Sequence, residues 1–138
     1  MRRQRPFSGL LICLSCALLL AGCGGGEDLP TLYQMKGTVT HNGKPLSGVI
    51  IVFTPSSGGR PSYGNVDETG TFSMAFTNDA AGVAAGENIV TLMQPNPDPD
   101  TPPLTPEMRA LFDKYGEGKS SLKVTVDSDK NDFELKLD

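Results

Sequence analysis

Cysteine, histidine and tryptophan are scarce in this chain. Its 138 residues include three cysteines, one histidine and no tryptophan, and the cysteines all lie within the first 23 residues. The rest of the chain therefore has no disulfide, and packing must supply its stability. A single histidine leaves a zinc site short of nitrogen ligands, and any Ser-His triad would have to use His41. The missing tryptophan removes the largest flat aromatic face from any sugar-binding surface.

A long hydrophobic run is also missing. The longest apolar segment, residues 10–20, has eleven mostly apolar residues, whereas a membrane-spanning helix needs about twenty. Three arginines precede this segment and small residues follow it, which is the order found in secretory signal peptides. We predict a signal peptide over residues 1–22, and its cleavage would remove Cys13 and Cys16.

The signal ends at Leu20-Ala21-Gly22-Cys23. This segment resembles the lipobox of bacterial lipoproteins. The resemblance implies cleavage between Gly22 and Cys23, acylation of Cys23 with chains such as palmitate, and attachment to the inner or outer membrane of the cell envelope. The domain would then face the periplasm or the exterior. Two or more acyl chains hold a protein firmly at a bilayer. The alternative is an ordinary cleaved signal followed by an incidental cysteine.

The predicted mature chain is acidic. Cleavage removes three of the twelve bases and none of the sixteen acids, so the formal net charge changes from −4 to −7. This negative charge argues against nucleic acid as a partner and against membrane binding through a cluster of basic residues on anionic lipids. Membrane attachment is therefore expected to depend on the lipid at Cys23.

A flexible tether and one folded domain are predicted after the signal. Residues 23–33 are rich in glycine and polar residues, which is typical of a tether. Residues 34–138 suit a single domain with one core. Apolar residues in this domain recur with a period of two, which predicts strands. The strands are predicted at residues 35–40, 49–53, 62–66, 71–77, 87–94, 122–126 and 133–137.

Seven short strands predict an all-β fold, a β-sandwich. The alternation is clearest at residues 71–77, where Phe72, Met74 and Phe76 share one face. Residues 49–53 are apolar on both faces, as in a central strand or one covered on both sides. The last two strands are expected to pair with each other across the polar turn that begins at Asp127.

Five residues are predicted to shape two turns. Gly43 and Gly48 bracket Pro45, so the chain can reverse sharply there, and Pro45 is expected to block strand pairing. Asp67 can accept hydrogen bonds from the backbone that follows it, and Gly70 can take a positive φ, which closes a hairpin. We therefore expect these residues to have structural roles.

The order of these segments resembles the carboxypeptidase regulatory-like family. The matching segments are GTVT at 37–40, GKPLSGV at 43–49, VFTP at 52–55 and VDETGTF at 66–72. The resemblance extends over residues 36–138 and implies the family's transthyretin-like, immunoglobulin-like sandwich of seven strands. It implies no activity. Hydroxyisourate hydrolases share this fold, but their site needs several histidines and arginines and a Tyr-Arg-Gly-Ser ending that this chain lacks.

Residues 95–120 are predicted to form a long loop with a short helix. Six prolines keep its first half extended and outside a sheet, so we expect an exposed arm there. Thr105 is an N-cap candidate ahead of Pro106, and apolar residues then recur on one helical face as far as Tyr115. We expect this face to pack on the sandwich and cover a strand edge. A partner-binding helix is the alternative.

No group of residues predicts a metal, a cofactor or a catalytic site. Asp127, Asp129 and Asn131 have the spacing of calcium ligands, but the glycine and the final glutamate of a calcium loop are missing. His41 lies in a turn with no other ligand near it in the sequence. The serines at 56 and 57 lack the glycine pattern of a nucleophile elbow.

These observations favour a non-enzymatic envelope module with a structural role or with a protein or glycan partner. A hydrolase of the hydroxyisourate type is one alternative, and a carbohydrate-binding module is another. Tyr63 and Tyr115 are the aromatic candidates for a sugar-binding surface, and packing is the simpler explanation for Tyr115.

Overall fold

The computed structural model describes residues 28–96 and 98–138. The predicted signal, Gly22, Cys23 and most of the predicted tether lie outside these residues, as does Pro97. The described residues form ten β-strands and one α-helix. The elements are β1 (Leu32–Tyr33), β2 (Met35–His41), β3 (Lys44–Pro45), β4 (Ile50–Pro55), β5 (Ser62–Asn65), β6 (Thr71–Ser73), β7 (Val83–Ala84), β8 (Gly86–Met93), α1 (Pro106–Tyr115), β9 (Lys123–Val126) and β10 (Lys130–Leu137).

The strands form two four-stranded sheets and a small ribbon. The β2 sheet has the order β10-β2-β3, and β6 also pairs with β2. The β4 sheet has the order β5-β4-β8-β9, and β1 pairs with β7 in the ribbon. All strand pairs are antiparallel except β10 with β2, which is parallel.

Both four-stranded sheets contribute side chains to one hydrophobic core. Val39 of β2 and Phe53 of β4 are fully buried in it, as is Leu137 of β10. Leu111 of α1 joins the same core. Burying one such side chain stabilises a fold by about 1.5–3 kcal/mol. The prediction of a mainly β fold is confirmed. The single helix of the described residues contributes Leu111 to the core.

Two polar side chains are buried beside the core, Ser62 and Asn88. The amide nitrogen of Asn88 donates to Ala84 O at 2.9 Å and to Gly86 O at 3.1 Å. Asn88 thus fixes the bend that leads into β8. The Ser62 hydroxyl has no hydrogen-bond partner within the described residues.

Several predicted strands are confirmed, but residues 71–77 are less regular than expected. Phe72, Met74 and Phe76 are all buried, as the alternation predicts. Regular strand structure nevertheless ends at Ser73, because the chain then changes partners. Ala75 forms isolated bridges to residues of two other segments.

The predicted hairpin between the last two strands is wrong. Strand β9 pairs with β8 in the β4 sheet, whereas β10 crosses to the β2 sheet and runs parallel to β2. Gln34 fixes the crossing point, because its N–H donates to Asp129 Oδ1 at 2.7 Å and its carbonyl accepts from Lys130 N at 2.8 Å. Inward and outward residues alternate along both strands as predicted, but this alternation does not specify which strand each one pairs with.

Strand pairing at Pro45 also differs from the prediction. Pro45 belongs to β3 and pairs with Thr40. This is tolerated because β3 is short and the next residue, Leu46, donates its N–H to Val39 O at 3.0 Å. The first strand of the described chain, β1, begins at Leu32.

Helix α1 confirms the prediction for residues 106–115, and the loop before it is exposed. The described residues between Pro95 and Thr105 are exposed except for Leu104, which is half-buried. The Thr105 side chain accepts from Met108 N at 3.2 Å and caps the helix. The apolar face of α1 packs on the core as expected, but the strand that it contacts most is β8, which lies inside the β4 sheet, so the expectation that the helix covers a strand edge is wrong.

Candidate functional site

A cleft of about 320 Å³ lies on the outer face of the β4 sheet. We call it the β4–β8 cleft. Two strands form its floor, and the segment after α1 forms part of its rim. Its lining residues are Val52, Thr54, Pro61, Tyr63, Ile89, Thr91, Leu92, Met93, Glu117 and Gly118.

Side chains alternate between the two faces of β4, and this alternation determines which residues form the floor of the cleft. Ile51 and Phe53 are fully buried in the core, so Val52 and Thr54 point to the opposite face of β4. The register pairs Val52 with Thr91 and Thr54 with Ile89. The floor is therefore a two-strand surface that combines aliphatic side chains with threonine hydroxyls.

Exposed apolar side chains line the sides of this floor. Tyr63 of β5 pairs with Val52 and is 44% exposed. Met93 of β8 is 42% exposed and lies opposite Ile50. The third large exposed hydrophobic residue among those described, Leu29, is near the start of the described chain. Two of the three thus lie on one cleft.

The rim formed by Glu117 and Gly118 is fixed at both ends. On one side, Gly116 N donates to Phe112 O at 2.9 Å and ends α1. On the other side, the Ser120 hydroxyl donates to Val90 O at 2.6 Å, which ties the segment to β8. Glu117 is exposed and forms no ion pair within the described part of the chain.

Helix α1, which carries this rim, is attached to the ends of β2 and β10. His41 Nε2 lies 3.2 Å from Glu107 Oε1, and His41 Nδ1 lies 2.8 Å from Leu137 O. The Tyr115 hydroxyl donates to Asp138 O at 2.9 Å, and Lys114 contacts the same oxygen. His41 and Tyr115 therefore both have structural contacts.

A charged pair lies on the same outer face, beyond the floor. Lys123 Nζ lies 3.0 Å from Glu87 Oε1. The hydrogen bond from Lys123 is the main cause that lowers the pKa of Glu87 below its usual range, and a bond from Ser56 adds to it. Both partners are exposed, so the pair contributes little to stability.

The three glycines of the two predicted turns all have positive φ. Gly43 and Gly48 have φ values of 76° and 69°, and Gly70 has a φ of 80°. The carboxylate of Asp67 accepts from Thr69 N and Thr71 N, both at 2.9 Å. The Thr69 hydroxyl also donates to it at 2.6 Å and is the main cause that lowers the pKa of Asp67.

A second depression, of about 380 Å³, lies beside the Asp67 turn. Its lining includes Asp67 and Thr71, together with Lys36 and Asn65. Asp67 and Thr71 already hold the turn together. This depression therefore offers fewer unengaged polar groups than the β4–β8 cleft.

Two of the three residues with calcium-like spacing, Asp127 and Asp129, already accept hydrogen bonds within the fold. Asp129 Oδ1 accepts from Gln34 N at 2.7 Å, and Asp127 Oδ1 accepts from the Ser128 hydroxyl at 3.2 Å. Asp98 caps its own loop by accepting from Asp100 N at 2.9 Å. In residues 28–96 and 98–138, no three histidine, cysteine or acidic residues are grouped closely enough to hold a metal ion.

Among the cleft residues, the sequence alone points to Tyr63. Ile89 and Met93 were assigned to a strand with no surface role, and Glu117 to a connection. The available signal is the apolar outer face of residues 49–53, which predicts a central strand or one covered on both sides, and β4 is indeed central in its sheet. Neither the pairing of β4 with β8 nor the position of Glu117 beside them can be derived from local pattern.

Within its described residues the chain has no helix long and apolar enough to cross a membrane. Comparison with family models, with curated proteins and with solved structures gave no match.

Proposed function

We propose that this chain is a non-enzymatic, lipid-anchored module of the bacterial cell envelope that binds a protein or glycan partner. In this proposal Cys23 carries the lipid, and the domain belongs to the carboxypeptidase regulatory-like, transthyretin-like sandwiches. The lipobox-like segment supports the anchor. The positive-φ glycines at 43, 48 and 70 support the family, because they occupy its turn motifs.

The proposal that the domain binds a partner rests on the β4–β8 cleft. It combines an aliphatic floor with the exposed Tyr63 and Met93 on a sheet face held rigid by strand pairing. Tyrosine is enriched at the energetic centres of interfaces. A rigid surface also loses little conformational entropy on binding.

A carbohydrate-binding module is the second candidate. It is favoured by one observation, the exposed ring of Tyr63 beside the hydroxyls of Thr54 and Thr91. A hydrolase of the hydroxyisourate type has weaker support. His41 is the one histidine in the chain, and its ring contacts Leu137 and Glu107 away from the cleft.

The anchor can be tested with Cys23→Ser in the full chain expressed in a bacterial host. We expect wild type to be acylated by intact mass and to fractionate with membranes. The variant is expected to be uncleaved or to lack the lipid. Unmodified wild type in the soluble fraction would refute the lipid anchor and indicate a secreted module.

The binding face can be tested by photo-crosslinking in the same host. A photoreactive residue at Tyr63 or Met93 should give adducts with an envelope component. The same residue at Thr38, which is exposed on the other sheet, is the matched control. Equal adducts at all three positions, or none at any, would contradict the proposal.

A further inference from the structure

We propose that the β4–β8 cleft takes an extended polypeptide segment with apolar side chains facing the floor and a cationic group beside Glu117. This inference rests on the proposed function, because it assigns a partner class to the same surface.

The floor favours apolar side chains over a glycan. Ile89, which is half-buried, and Val52, which is 7% exposed, supply the aliphatic carbon between the two threonines of the floor. The floor offers hydroxyl partners only at Thr54 and Thr91, so most hydroxyls of a sugar laid on it would be buried unpaired, and each unpaired hydroxyl costs free energy. Apolar side chains gain free energy by leaving water at the same place.

The dimensions of the cleft suit an extended chain. The floor uses two outward positions on each of β4 and β8, and these positions are two residues apart along each strand. Side chains on one face of an extended peptide repeat every ~7 Å, which is the same spacing. A volume of about 320 Å³ is at the small end of the range for ligand sites, so it suits a few side chains.

Tyr63 and Met93 lie on this surface with large exposed fractions, 44% and 42%. Tyrosine supplies a rigid contact surface, and methionine adapts its shape to different apolar partners. An exposed apolar group contributes binding free energy only when a partner covers it. These two side chains are therefore positioned to hold an apolar segment on the floor.

The negative charge around the cleft favours a partner that carries positive charge. Glu117 is the one ionisable carboxylate among the lining residues, and it forms no ion pair within the described residues. Residues 28–138 contain nine bases and fifteen acids, so the surrounding field is negative. Such a field attracts cationic partners and repels anionic ones.

The test uses fluorescein-labelled six-residue peptides and the full chain, processed by its host and purified in neutral detergent. One peptide alternates leucine with lysine, a second alternates leucine with glutamate, and a third alternates serine with lysine. Binding is measured by anisotropy at low ionic strength, and empty micelles give the background. We expect binding of the leucine-lysine peptide alone.

The cleft variants identify the binding surface. We expect Tyr63→Ala to weaken binding by at least ~10-fold, and Glu117→Gln to weaken it ~2- to 5-fold and to reduce its salt dependence. Glu134→Gln removes an exposed carboxylate from β10, where Glu134 pairs with Lys136 at 3.6 Å, and should leave binding unchanged. Urea midpoints of all variants check that each is folded.

Equal binding of the leucine-glutamate or serine-lysine peptide would overturn the inference, as would an equal loss in Glu134→Gln. Chitotetraose binding that disappears in Tyr63→Ala would replace the peptide with a glycan and leave the proposed function intact. Adducts at Tyr63 without binding of any peptide would also refute the inference alone. Loss of both the adducts and peptide binding would refute the two together.

Discussion

Replacing Gly37 with alanine tests how closely β2 packs against β10. A Cβ at this position would lie 1.8 Å from Phe133 O and 2.7 Å from Phe133 C. Real Cβ contacts essentially never fall below 3.0 Å, so β10 would have to move by ~1.2 Å or more in a close-packed interior. Both contact atoms belong to the backbone, and no side-chain rotation relieves the overlap.

The cost of this substitution follows from two terms. Overpacking a well-packed interior costs about 1–3 kcal/mol. Displacing β10 also breaks about two ladder hydrogen bonds, each worth about 1 kcal/mol. We therefore expect Gly37→Ala to lower the free energy of unfolding by about 3–5 kcal/mol, out of the roughly 5–15 kcal/mol typical of a domain.

Gly64→Ala is the matched control, since Gly64 is also a strand glycine beside a tight contact. Its Cβ would lie 2.5 Å from the Met74 sulfur. Methionine is flexible and can move aside, so we expect a loss below about 2 kcal/mol.

Urea unfolding of the soluble chain from Glu27 onward, followed by circular dichroism, gives both values. Equal midpoints for Gly37→Ala and Gly64→Ala would refute this account of the β2–β10 contact. So would an unchanged midpoint for Gly37→Ala.

Four other predictions concern the core, one turn and the arm. Phe72 is 2% exposed, so Phe72→Ala should lower the free energy of unfolding by about 3–5 kcal/mol. An unchanged urea midpoint would place Phe72 outside the core. Ser62→Ala should leave stability unchanged or raise it by up to about 1 kcal/mol, because the buried hydroxyl has no partner in the described chain; a clear loss in urea would show that a partner exists. The pKa of Asp67 is lowered in the folded state, so its stabilisation is present above the usual aspartate pKa of about 3.9 and is lost as pH falls through the folded value. Asp67→Asn should therefore unfold at lower urea than wild type at pH 7, and the gap should close in acid; a gap independent of pH would contradict this. Proteinase K should cut first within residues 98–105, and a first cut elsewhere would mean that the arm is protected.

Features fixed by neighbouring residues could be predicted from the sequence. The Asp67 turn and the Thr105 cap follow from side chains that bond to the backbone within four residues. The burial of Phe72, Met74 and Phe76 follows from alternation alone. Each of these features depends on a short segment and needs no knowledge of its partners.

Features that depend on distant partners were missed. The partners of β9 and β10 could not be identified, because their alternation suits either sheet. The crossing between the sheets is set by Gln34, about a hundred residues from the strands it separates. The β4–β8 cleft was missed for the same reason, since β4, β8 and Glu117 meet only in the folded chain.

The parallel pairing of β10 with β2 places the starts of both strands at one end of the domain. Lys130 lies opposite Met35 at one end of the pair, and Leu137 lies opposite His41 at the other. Seven residues of β2 separate these ends by about 20 Å. In the proposed lipid-anchored form, Cys23 precedes β1 and β2 in the chain, so the Met35 end of the pair would lie nearest the bilayer. His41 and the first turn of α1, with the proline-rich arm that leads into it, would then point outward, where other envelope components can reach them.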